Sequence, residues 1–175
     1  MRFIHSLITC FFFLFVTSGL TKSIQKKVEK EIKSTYNVEE FVLKPKAFDA
    51  EIINILPSEF DADNFFEIQN EGLVIGYAYV SKAPSKTDEF DYLILLNKEV
   101  VIQKAKVLVY REDYGGEIGS KRWLQQFIGK TPTDELKYQQ NIVAISGATI
   151  SVRSMTTAVN DLLRSLHILQ TKNQL

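Results

Sequence analysis

An α+β fold, an antiparallel sheet flanked by helices, is the class this sequence predicts, on three observations. Ile24, Val28, Ile32 and Tyr36 recur every four residues among Lys and Glu, which is the period of an amphipathic helix. Between residues 64 and 110 lie four apolar and aromatic runs separated by short turns, the signature of antiparallel neighbours. From Val152 onward, Met155, Val159, Leu162, Leu163, Leu166 and Leu169 return at three- and four-residue spacing, a second and longer helix. Helices at the ends with a block of strands between them do not make the alternating pattern of a parallel sheet.

The elements follow in order. Arg2, then the apolar run LITCFFFLFV at residues 7–16, then Thr17, Ser18 and Gly19, read as a signal peptide over residues 1–20. The run is short of the roughly 20 residues a membrane span needs, so the reading is an exported, periplasmic or cell-envelope protein with a cleaved signal. The alternative is a retained anchor followed by Lys22, Lys26 and Lys27. Cys10 lies inside the run and is badly placed for a lipoprotein cysteine.

Residues 22–36 are the first helix. Asn37 with Glu40 reads as the cap of a second short helix over residues 38–43, closed by Pro45. Residues 47–56 stay open between helix and strand. Strands at 64–69 and 73–80 form a hairpin around Asn70-Glu71-Gly72, with Gly72 supplying a positive φ. Residues 82–89 read as a polar loop, followed by strands at 92–96 and 100–110. Val107, Leu108, Val109 and Tyr110 give the last of these the look of a central, buried strand.

The segment REDYGGEIGSKRWLQQFIGK at residues 111–130 combines a loop rich in Gly115, Gly116 and Gly119 with Trp123, Phe127 and Ile128 on one face of a short helix that Gly129 ends. Residues 131–140 read as a polar connection and 141–145 as a short apolar strand. The organisation expected is a signal over 1–20, an N-terminal helical part over 21–62 and one domain over 63–170.

Composition narrows the chemistry. Basic and acidic side chains balance at 21 each, so electrostatics gives no argument for nucleic acid or an anionic membrane surface. Cys10 is the only cysteine, and His5 and His167 the only histidines. Export would remove Cys10 and His5, leaving no disulfide, no cysteine-ligated metal or cluster and no histidine-rich site. His167 sits late in an amphipathic helix, where packing explains it. Glu112, Asp113 and Glu117 form an acidic cluster with nothing to favour a cation. No dinucleotide-binding glycine motif or phosphate-binding loop appears. No catalytic residue and no metal site is expected, so any redox group is borrowed.

The stretch ISGATISVRSMTTAVNDLL at residues 145–163 crowds hydroxyls around Gly147-Ala148 just before a helix. Thr149 or Ser151 could simply cap it by accepting from orphan N–H groups. A cap does not need Gly147-Ala148, whereas a backbone lying against a bulky ligand does. A helix N-terminus also suits a phosphate. On the residues alone both readings stay open.

Three ordered blocks resemble the FMN-binding domain family, which includes the flavin subunits of the sodium-translocating NADH:quinone oxidoreductase and of the Rnf electron-transport complex. They are Gly72-Leu73-Val74-Ile75-Gly76-Tyr77-Ala78; then Glu112, Tyr114-Gly115-Gly116-Glu117-Ile118, Trp123 and Phe127-Ile128-Gly129-Lys130; and finally SGATIS at residues 146–151. The resemblance covers roughly residues 65–166. It implies FMN joined to Thr149 through a phosphoester, placed there by a flavin transferase that uses FAD and magnesium. It further implies that Ser146, Gly147, Ala148 and Ser151 hold the phosphate and ribityl chain, that Tyr114, Gly115, Gly116 and Glu117 approach the ring, and that Glu112 and Trp123 lie near it, with Lys130 part of the pattern. Two departures stand out. Val143 occupies the place, six residues before Thr149, where the family pattern has Asp, and Asp113-Tyr114 replaces a Thr-Pro-Gly type sequence.

The expectation is a flavoprotein that carries electrons between membrane or envelope redox proteins, rather than an enzyme with its own substrate. The alternatives are a flavin-dependent envelope reductase of a small substrate and a non-redox binding or sensory module of the same fold.

Overall fold

The computed structural model describes residues 20–175; the proposed targeting segment, but for its last residue, lies outside them. Five antiparallel strands form one sheet in simple chain order: β1 (Val42–Pro45), β2 (Phe65–Asn70), β3 (Leu73–Pro84), β4 (Glu89–Leu96) and β5 (Ile102–Val109). Two helices cover its faces, α1 (Lys22–Tyr36) on one and α4 (Thr149–Thr171) on the other, with short helices α2 (Ala50–Ile53) and α3 (Lys121–Leu124) between. This is an α+β fold, as the sequence predicts. Among the described residues no helix is long and apolar enough to cross a membrane.

The two-residue period of a strand sorts β4 between the layers. Phe90, Tyr92, Ile94 and Leu96 pack with Val152, Met155, Val159, Leu162, Leu163, Leu166 and Leu169 of α4. Leu93 and Leu95 pack with Ile24, Val28 and Ile32 of α1. All of these are buried, and each Leu, Ile or Val contributes about 1.5–3 kcal/mol by leaving water. The β2–β3 hairpin turns on Glu71 (φ 50°) and Gly72 (φ 80°), with Asn70 paired to Leu73. At Gly76 the sheet is approached so closely that a Cβ would lie 2.3 Å from the Leu96 carbonyl oxygen and 2.6 Å from the Tyr36 hydroxyl. That hydroxyl donates to the same carbonyl at 2.7 Å. Burial of the Tyr36 phenol raises its pKa well above the ordinary value.

Several expected elements differ. No helix spans residues 38–43. Asn37 instead adopts the left-handed conformation (φ 55°) that ends α1, and the chain then extends so that Val42 to Pro45 pair with Gln69 to Phe66. The N-terminal part expected to be helical over residues 21–62 therefore also supplies a sheet strand. Residues 47–56 resolve as α2, a single turn. The loop expected at 82–89 shrinks to residues 85–88, because β3 stays paired with β4 as far as Pro84. β5 begins at Ile102, since Val100 holds a left-handed φ of 56°. It is an edge strand, buried by α1 on one side and by Ile118, Trp123 and their neighbours on the other; the central strand is β3, and the most buried is β4. Trp123 and Phe127 are core, but Ile128 is exposed. Residues 141–145 make no strand. They contribute one isolated bridge, Tyr138 to Ile142, and of this run only Ile142 is buried.

Candidate functional site

α4 begins without a side-chain cap. Ala148 occupies the cap position and has no polar side chain, and Gly147 before it turns the chain with a φ of 79°. The Ala148 carbonyl accepts the first helical bond, from Val152 N at 2.9 Å. The N–H groups of Thr149, Ile150 and Ser151 are left without an intrahelical acceptor, as at every helix start. Thr149 and Ser151 are not caps, because both lie inside the first turn. Their hydroxyls differ. Ser151 is 3% exposed, its Oγ 3.0 Å from the Tyr110 hydroxyl. Thr149 is exposed, and among the described residues its hydroxyl has no protein partner. Ser154 and Thr156 are committed to the carbonyls of Pro84 and Val152. Ser146 is exposed in the turn.

The glycine loop meets this turn backbone to backbone. Gly115 has a φ of 77°, and a Cβ there would stand 2.8 Å from the Ala148 Cβ and 3.2 Å from the Tyr110 hydroxyl. Ser151, Tyr110, Gly115 and Ala148 therefore form one joint. Gly116 and Gly147 face open space. The neighbours of the joint are exposed: Tyr114 at 82%, Ile150 at 50% and Val143 at 66%. Glu117 is exposed at the start of a 3-10 turn (Gly116–Gly119), which buried Ile118 anchors.

Glu112 faces the other way. Its carboxylate accepts from the Ser85 hydroxyl at 2.6 Å, Thr87 N at 2.7 Å, the Thr87 hydroxyl at 2.9 Å and Asp88 N at 3.3 Å. These donors, the Ser85 hydroxyl first and then the Thr87 amide, lower its pKa from 4.5 to about 2. Glu112 thus clamps the β3–β4 loop beside the site. Next to it Arg111 pairs with buried Asp91 at 2.5 Å.

Trp123 is a core residue, edge-on to Phe127 at 5.2 Å. Its indole N–H donates to the Val143 carbonyl at 2.8 Å, while Val143 N donates to Gln126 Oε1 at 2.8 Å. The segment leading into residues 146–151 is thereby held by two side chains from the α3 region. Lys130 lies elsewhere. Its carbonyl accepts from Ile102 N at the far end of β5, roughly 23 Å of strand away from Val109. Its Nζ is 3.6 Å from Asp134. The structure therefore gathers Ser146 to Ser151 with the glycine loop, sets Glu112 and Trp123 as braces on either side, and leaves Lys130 apart.

Sequence reasoning passed over Tyr110 and Gln126. Tyr110 reads as the end of an apolar strand, and only its position beside Ser151 reveals the hydroxyl's use. Gln126 carries no signal in a chain with ordinary glutamine usage.

No curated protein matches the chain. Residues 86–164 match the model of the FMN-binding domain family, a stretch that takes in Glu112, the glycine loop, Trp123, Lys130 and residues 146–151 and begins after the Gly72–Ala78 block. The residues at the joint suit that nucleotide: uncommitted N–H groups and a free hydroxyl at a 23-residue helix start for the phosphate, and open, glycine-flanked surface beside exposed Tyr114 for the ring. Residues 86–164 are thus an FMN-binding domain, the protein is a flavin-binding one, and FMN is its cofactor.

Proposed function

We propose that this is an exported flavoprotein that holds FMN as a phosphoester on Thr149 and relays electrons between redox proteins at the cell envelope. The observation that carries the reading is the exposed Thr149 hydroxyl, without a partner among the described residues, at the uncapped start of α4, braced by the Gly115–Ala148 contact. The apolar run at residues 7–16 supports export.

Maturation is a transfer from FAD on a magnesium-dependent flavin transferase. Thr149 Oγ1 forms a bond to the FMN-side phosphorus, the bond between that phosphorus and the bridging oxygen breaks, AMP leaves, and the hydroxyl proton passes to a base of the transferase. Attachment removes dissociation from a site that is largely open. The bound flavin accepts and returns one or two electrons, and the chain supplies its position and surroundings.

The test is intact-protein mass after co-expression with a flavin transferase. Wild type gains the mass of one FMN and Thr149→Ala gains none. Absence of added mass on wild type sinks the covalent reading; equal mass on both proteins moves the site to another hydroxyl. Steady turnover of a small substrate by the isolated, flavin-loaded protein would replace electron relay with a reductase.

A further inference from the structure

Arg153 lies four residues after Thr149, so the two share a helix face with Cβ atoms about 5–6 Å apart. Side chains in a helix lean toward its N-terminus, which turns Arg153 toward the turn that begins at Thr149. Its guanidinium is held 4.8 Å from the centre of the Tyr138 ring. That contact fixes the direction of a side chain that is otherwise exposed.

Its electrostatic setting is unusual. The first turn of α4 contains no acidic residue, although the positive end of a helix favours acids there. Arg153 instead places a full positive charge just behind that end. Among the described residues no carboxylate lies within ion-pair distance of it, while Arg111 and Arg164 each have one. Cation and dipole thus repel each other with no anion between them. An anion at Thr149 would offset both.

We infer that Arg153 is the phosphate-binding side chain of the flavin site, held ready by Tyr138 to donate to the phosphate oxygens of the FMN ester on Thr149. A planar guanidinium can present two parallel N–H groups to a phosphate, which an ammonium cannot. This inference rests on the reading of Thr149 as the attachment site, and it adds a residue that the motif at 146–151 does not contain.

Two measurements test it. In co-expression with the transferase, Arg153→Gln should acquire FMN about tenfold more slowly than wild type, with Arg153→Lys between them, given the strength of charge-assisted hydrogen bonds. In the apo protein, titration with free FMN should shift the Arg153 Nε–H and the Thr149, Ile150 and Ser151 amide signals. Riboflavin, which lacks the phosphate, should leave the Arg153 signal in place, and Arg153→Gln should lose the preference for FMN over riboflavin. Thermal unfolding should match wild type, because the side chain is exposed. If Arg153→Gln is flavinylated at the wild-type rate and still prefers FMN, the inference is wrong and the Thr149 reading stands. If wild type gains no FMN on Thr149 and its Arg153 signal responds equally to FMN and riboflavin, both fall.

Discussion

Gly115 packs against Ala148 so closely that a Cβ on the former would stand 2.8 Å from the methyl of the latter. Thirty-three positions separate them in sequence, yet this contact is what turns a glycine loop and a hydroxyl-rich turn into one site. It also sets the size limit at both positions.

Gly115→Ala should therefore destabilise the fold by about 1–3 kcal/mol, combining a left-handed backbone with overpacking. Flavin loading should fall with it. Gly116→Ala is the control, because its Cβ would meet nothing within 4 Å and its φ is ordinary. It should stay within about 0.5 kcal/mol of wild type. Urea unfolding of the two variants makes the comparison.

The Glu112 clamp gives a pH dependence with a definite sign. Its pKa is lowered in the folded chain, from 4.5 to about 2. The stabilisation it supplies is thus fully present above about pH 4.5 and is lost as the pH falls toward 2. The protection of the Thr87 and Asp88 amides against hydrogen exchange, taken relative to the intrinsic rate at each pH, should fall through that window. In Glu112→Gln those amides should exchange faster at neutral pH, with no added step on acidification.

Val143 separates maturation from stability. Its side chain is 66% exposed, while its backbone is held by Trp123 and Gln126. Val143→Asp should leave stability within about 0.5 kcal/mol and, by restoring the acid of the family pattern, should speed flavinylation. Trp123→Phe should do the reverse, removing one hydrogen bond at a cost of about 0.5–1.5 kcal/mol and slowing flavinylation by loosening the approach to Thr149. Intact-mass time courses read both.

At Gly76 the expectation is purely structural. A methyl group there would displace the Tyr36 hydroxyl from the Leu96 carbonyl and press on that carbonyl itself. Gly76→Ala should cost about 1–3 kcal/mol from overpacking, with the lost hydrogen bond in addition. Thermal unfolding should show the drop, while the environment of Thr149 stays unchanged.

Legibility in the sequence followed how local the determining physics was. α1 and α4 were readable because their apolar residues repeat at helical spacing and face one layer each, and the turn at Gly72 because only its backbone conformation matters. Asn37 was misread because an asparagine serves equally as the start of a helix or as its left-handed end, and pairing with β2 decides between them. Residues 141–145 look like a strand by composition. The Val143 N–H and C=O are instead taken by the side chains of Gln126 and Trp123, while Asn141 and Ile142 bond back to Lys137 and Gln139. Of the site, the turn at 146–151 and the glycine loop were visible as motifs. The roles of Glu112 and Trp123 as braces, and the remoteness of Lys130, depend on where β5 places each end of its flanking loops.

The pairing of β3 with β4, from Tyr77–Leu96 to Pro84–Glu89, crosses the start of the family match at residue 86. A sequence-defined module and a cooperative folding unit therefore do not coincide in this protein. Cut at residue 86, β4 would lose its hydrogen-bonded neighbour and become a bare edge, apolar on both faces and prone to self-association. The residues around the nucleotide lie within the matched stretch, while β1, β2 and β3, which complete the sheet that holds them, precede it. Transplanting the flavin site into another protein would require carrying β1, β2 and β3 with it.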